Sequence, residues 1–70
     1  MEQWVIYFNP KDNPGKYVVR CWKITREGPA ATTELSVHER LEGAREAVPA
    51  GLVCLTRSPT DDPVIVEVWV

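Results

Sequence analysis

Few residues in this chain have side chains that could do chemistry. His38 is its single histidine, Cys21 and Cys54 are its two cysteines, and Asp61 and Asp62 stand side by side before Pro63. A zinc site needs several histidine, cysteine or carboxylate ligands converging, and the cysteines are too far apart in sequence to form a C-x-x-C pair. A cysteine–histidine nucleophile would require Cys21 or Cys54 to meet His38 in space, which no local motif specifies. Adjacent aspartates can share a proton or hold a cation. Before a proline they read first as turn formers that hydrogen-bond their own backbone. Gly15, Gly28, Gly43 and Gly51 are scattered, forming neither a dinucleotide fingerprint nor a phosphate loop. The sequence therefore predicts no catalytic residue, no cofactor and no metal ligand. Arg20 and Lys23 flank Cys21-Trp22, a pattern that can stack single-stranded bases when it lies on a strand. Without an RNP-like motif, Trp22 reads as core and Arg20 as a rim charge.

Positioning these groups falls to short strands and one helix. Trp4 to Phe8 is a β-branched and aromatic run that stops at Asn9-Pro10, and it reads as a strand. Asn9 to Lys16 holds two prolines, a glycine, two asparagines and an aspartate, the composition of a hairpin loop. Tyr17 to Thr25 is a second strand, ended by Glu27-Gly28-Pro29. The next segment has two readings. Ser36-Val37-His38-Glu39 fits a capping box leading into a stripe of Val37, Leu41, Ala44 and Val48. Alternatively Glu34 to His38 alternates as a short strand and the helix starts near Arg40, the reading favoured because Leu35 and Val37 share a strand face. In either case the helix stops before Pro49-Ala50-Gly51. Leu52 to Thr56 is a further strand, Arg57 to Pro63 a polar loop, and Val64 to Val70 the strongest strand of all. The expected fold is α+β, a single small domain over residues 1–70. Its antiparallel sheet follows the order β-β-β-α-β-β with one short helix on one face, or β-β-α-β-β if residues 34–38 open the helix.

Alternation along the strands carries the main functional hint. In the last strand Val64, Val66, Val68 and Val70 oppose Ile65, Glu67 and Trp69. In the first, Trp4, Ile6 and Phe8 oppose Val5 and Tyr7. In the second, Val18, Trp22 and Ile24 oppose Tyr17, Val19 and Cys21. Both faces of the sheet are thus partly apolar, whereas a lone helix of about ten residues covers only one. The uncovered face is the expected partner surface, with Tyr7, Val19, Ile65 and Trp69 as its candidate residues, for a second copy of the chain or another protein.

Composition bounds the rest. Seventy residues make one domain, and a chain this short buries only about 60% of its unfolded surface, so a partner subunit would help it. The formal charge of −2 argues against a dedicated nucleic-acid binder. The charge is uneven. Residues 1–30 carry five basic against three acidic side chains, and residues 31–70 carry three against seven. No apolar run approaches the roughly 18 residues needed to cross a bilayer, and the opening Met-Glu-Gln-Trp does not resemble a signal peptide. The expectation is a cytoplasmic protein with both thiols reduced and no membrane partner.

Two resemblances add to this. Trp4-Val5-Ile6-Tyr7, then Pro10, Asp12, Pro14 and Tyr17-Val18-Val19-Arg20-Cys21-Trp22, resembles the opening of a group of short bacterial proteins. Arg57-Ser58-Pro59-Thr60-Asp61-Asp62-Pro63-Val64-Ile65-Val66-Glu67-Val68-Trp69 resembles the close of the same group. That family carries no assigned activity, so the resemblance implies a bacterial origin and a full-length chain but transfers no site. Separately, Arg40-Leu41-Glu42-Gly43-Ala44-Arg45-Glu46-Ala47 is similar to the helix opening of the HicB-type antitoxin domain, also a sheet followed by a helix. The chain lacks that family's Pro-Gly-Cys segment before the helix. The sequence thus leads first to a non-enzymatic protein-interaction module or accessory subunit, next to an antitoxin-like or nucleic-acid-associated regulator, and last to a small enzyme using Asp61, Asp62 or His38.

Overall fold

A computed structural model describes residues 2–55 and 64–70 of the chain. Strand β1 (Glu2–Phe8) is followed by β2 (Tyr17–Thr25), β3 (Gly28–His38), the helix α1 (Leu41–Glu46), β4 (Cys54–Leu55) and β5 (Ile65–Trp69). The strands form one sheet in the spatial order β3-β2-β1-β5-β4, with every neighbouring pair antiparallel. Among the described residues, no helix is long and apolar enough to cross a membrane.

Local chemistry sets the turns. Between β1 and β2, Asn9 adopts a left-handed φ of 57°, which asparagine tolerates better than most residues. Its side-chain Oδ1 accepts the Gly15 N–H at 2.7 Å, while its own N–H donates to the Lys16 carbonyl at 2.9 Å. Between β2 and β3 the chain reverses over Arg26 and Glu27, and Gly28 follows at a φ of 115°. The segment Glu27-Gly28-Pro29 therefore ends β2, but β3 begins within it and runs far longer than the Glu34–His38 stretch expected. Pro29 is tolerated because β3 is an edge strand, where a missing N–H need not break a ladder.

Residues 34–38 are strand, and the capping box does not form. The Ser36 hydroxyl instead pairs with His38 Nε2 at 2.8 Å, and the helix N-cap is an extended Arg40 with no side-chain cap. The helix is six residues long rather than about ten. It tightens at its end, where the Ala47 and Val48 N–H groups donate to the Ala44 and Arg45 carbonyls, before Pro49 stops it. Of the described part of the expected Leu52–Thr56 strand, residues 52–55, β4 covers Cys54 and Leu55, and Val53 and Val70 continue the pairing through two backbone bonds of 2.8 and 3.0 Å. Thr56 and the loop through Pro63, with Asp61 and Asp62, lie outside the described residues.

The helix packs on one face of the sheet. There Ile6, Val19 and Ala44 are buried together, flanked by Trp4, Tyr17, Leu41, Val66 and Trp69. One irregularity reorganises the last strand. Trp4 opposes Trp69, Val5 opposes Val68 and Ile6 opposes Glu67, but Tyr7 opposes Ile65. Val66 is thus an extra residue in a β-bulge, and the face presented by β5 changes on passing it. Strict alternation would have put Ile65 and Trp69 on the same side. The bulge puts Trp69 under the helix with Trp4 and leaves Ile65 beside Tyr7 on the opposite face.

Candidate partner-binding face

The face away from the helix is built from alternate residues of the three central strands and of β3. Val5 and Tyr7 come from β1, and Val18, Arg20 and Trp22 from β2. Leu35 and Val37 come from β3, and Ile65 and Val68 from β5, as the cross-strand pairs require. Val5 and Val18 are buried between their larger neighbours. Tyr7 and Trp22 are half-buried and joined, the Trp22 indole Nε1–H donating to the Tyr7 hydroxyl at 3.1 Å. The Arg20 guanidinium carbon lies 5.9 Å from the Trp22 ring centroid, within reach of a cation–π attraction.

Where the 9–16 loop rises beside this face it leaves a cleft of about 480 Å³, lined by Tyr7, Arg20, Trp22 and Leu35 with Asp12 and Asn13 at the loop side. A shallower hollow of about 290 Å³ continues across Val5, Tyr7, Trp22, Ile65 and Val68. The ion pairs of the described residues are Lys16 with Glu39 and Arg45 with Glu67. Arg20 takes part in neither. Its guanidinium, with five N–H donors, lines a mixed polar and apolar cleft whose one carboxylate among the described residues, Asp12, forms no ion pair with it.

Of the four residues expected at a partner surface, Tyr7 and Ile65 lie on this face. Val19 and Trp69 do not. Val19 is 1% exposed in the core, and Trp69 packs against that core with its Nε1–H on Glu67 at 3.3 Å. The bulge moved Trp69, and Val19 faces the helix because it pairs with Ile6. Trp22 is likewise corrected: it is not core but half of the Tyr7–Trp22 pair on the open face. The period-two spacing of Val18, Arg20 and Trp22 was visible in the sequence. What hid their role was the register against β1, which decides that Tyr7 is their neighbour.

The remaining reactive groups are dispersed among structural roles. His38 bonds Ser36. Both cysteines are free thiols, Cys21 buried and Cys54 exposed. Glu2, Cys21 and Glu34 bring their ligand atoms within 4.8 Å of one another, a grouping that sequence spacing did not signal. Burial and the negative charge of Glu2 push the Cys21 thiol up from its ordinary value. Neither a scan against protein-family models nor searches of curated proteins and of solved structures finds a match for this chain.

Proposed function

We propose that this chain is a non-enzymatic protein-interaction module, and that the face bearing Tyr7, Arg20 and Trp22 binds an extended polypeptide with apolar and acidic side chains. The observation that carries the reading is Arg20. Its guanidinium stands beside Trp22 at the cleft and forms no ion pair among the described residues, Asp12 of the cleft lining included, so a ligand carboxylate would complete a charge-assisted pair. Around it, Tyr7, Trp22 and Leu35 offer apolar area with a hydrogen-bonding rim, the composition of a recognition hot spot. The same triad suits a stacked base in principle, but the chain's net charge of −2 works against a phosphate backbone.

A displayed library of random peptides, selected on the purified protein, tests this. Enriched peptides should combine acidic with apolar positions and shift the Trp22 indole N–H resonance. They should lose affinity about tenfold or more on Arg20→Ala, the scale of a hydrogen bond to a charged group. Failure to enrich any peptide, or enrichment of peptides that map to the helix side, would sink the reading. Single-stranded oligonucleotides shifting Tyr7 and Trp22 in place of peptides would replace it with a nucleic-acid function.

A further inference from the structure

We infer that β3 is a self-pairing edge, through which a second copy of this chain adds antiparallel at residues Glu34–His38 to give a two-fold dimer with Ser36 on the axis. The sheet has two outer strands. Strand β4 offers only two residues, a length too short to template another chain. Strand β3 offers eleven. Its first half is blunted in two ways: Pro29 has no N–H to give, and the register slips between Arg20 and Trp22, opposite residues 31–35. Its second half carries no such protection. There Leu35 and Val37 are 45% and 44% exposed on one face.

Backbone direction picks the donors. The Glu34 N–H is taken by the Thr32 hydroxyl at 3.1 Å, which itself donates to the Cys21 carbonyl of β2 at 2.9 Å. Glu34 therefore turns inward toward β2. Successive residues of a strand alternate, so the N–H and C=O groups of Leu35 and Val37 point out of the sheet edge.

An isologous pairing must read the same from both sides. With Ser36 on the axis, Leu35 of one copy meets Val37 of the other, so the outward backbone groups exchange hydrogen bonds and the exposed apolar side chains cover each other. Glu34 then meets the partner copy's His38. That placement gives an imidazole N–H to a carboxylate that has no cation among the described residues and already stands beside Glu2. The small Ser36 occupies the close crossing at the centre. Since Arg20 pairs with Leu35, the dimer also sets two Arg20–Trp22 clefts on one continuous face.

Sedimentation equilibrium of the full chain up to millimolar concentration should show mass rising from 7.9 kDa toward twice that value. Val37→Pro removes one outward N–H without touching the β2 ladder, and should hold the mass at the monomer with the circular dichroism spectrum unchanged. If that variant fails to fold, oxidation decides. In a Cys54→Ser background, Ser36→Cys should cross-link two chains at least tenfold faster than Thr33→Cys, because only residue 36 faces its own copy. A parent that stays monomeric at millimolar concentration overturns the inference. So does equal cross-linking from positions 33 and 36.

Discussion

Arg45 on the helix holds Glu67 on the last strand through a two-pronged bond. Its Nε donates to Oε1 at 3.0 Å and its Nη2 to Oε2 at 2.7 Å. The two residues are 22 apart in sequence, and this pair clasps α1 to β5, the strand between β1 and the outer strand β4. The Glu67 side chain is only 15% exposed, and it also accepts the Trp69 indole N–H. Its two oxygens are thus spoken for by the groups that define the helix side.

This arrangement has a pH signature. The Arg45 hydrogen bond, helped by Trp69 and opposed by burial, lowers the Glu67 carboxyl below its ordinary value. A carboxyl depressed in the folded state stabilises the fold at pH values above its unfolded pKa of about 4.3, and that stabilisation disappears as pH falls through the lower folded value. Urea unfolding should therefore show Arg45→Met less stable than the parent at neutral pH, with the two curves converging under acid. A gap that persists unchanged as the pH is lowered until the carboxyl is protonated in both the folded and unfolded states would assign the loss to packing.

Trp69 and Trp22, both partly enclosed, should behave differently. Trp69→Ala opens the helix side of the sheet and should cost about 3 kcal/mol, the low end for a large aromatic because Trp69 is not fully enclosed. Trp22→Ala gives up one indole–phenol hydrogen bond on the open face and should cost about 1 kcal/mol. Against a total near 4–10 kcal/mol for a chain of this length, only the first threatens folding. Chemical denaturation of both variants checks the order, and a larger loss at position 22 would place the core on the wrong face.

Thiol chemistry gives an independent reading of burial. Cys54 is exposed, whereas Cys21 is buried with its thiol pushed up by that burial and by Glu2. Reactivity follows the accessible thiolate. A chromogenic disulfide reagent near pH 8 should release about one equivalent per chain quickly, and the second only on denaturation. Cys54→Ser should remove the fast phase. Two fast equivalents from the parent would mean that the Glu2 end of the sheet opens readily.

Gly28 closes the β2–β3 hairpin at a φ of 115°, with nothing within 4 Å of where a β-carbon would stand. The penalty for Gly28→Ala is therefore conformational, about 1–3 kcal/mol for a sparsely populated backbone state. Thermal unfolding of that variant should show the loss without any change in the cleft. A neutral substitution would indicate a turn that relaxes to another geometry.

Much of the sheet was readable from residue types. The Trp4–Phe8 and Tyr17–Thr25 runs, the Asn9–Lys16 loop, the stop at Pro49 and the small antiparallel sheet with one short helix all follow from local chemistry. The face assignments did not follow, because they depend on events between strands. Whether Trp69 lies with Ile65 or across from it hinges on the single extra residue at Val66, and nothing in Val64–Val70 announces a bulge. By residue type Trp22 reads as core, because a tryptophan in an apolar strand usually is. Its position opposite Gln3 and its bond to Tyr7 are properties of the β1–β2 register. Glu2, Cys21 and Glu34 meet for the same reason.

The placement of β5 beside β1 has a mechanical consequence. Trp4 near one end of the chain stands opposite Trp69 near the other, so both ends leave neighbouring antiparallel strands at the same end of the sheet. Ladder bonds in such a pair run across the strands. Tension applied between Glu2 and Val70 would load them one after another, opening the centre of the sheet like a zip instead of shearing it all at once. The protein should therefore yield at low force when pulled by its ends, and resist better when the same load is applied between the loop at residues 9–16, at the opposite end of the sheet, and Val70.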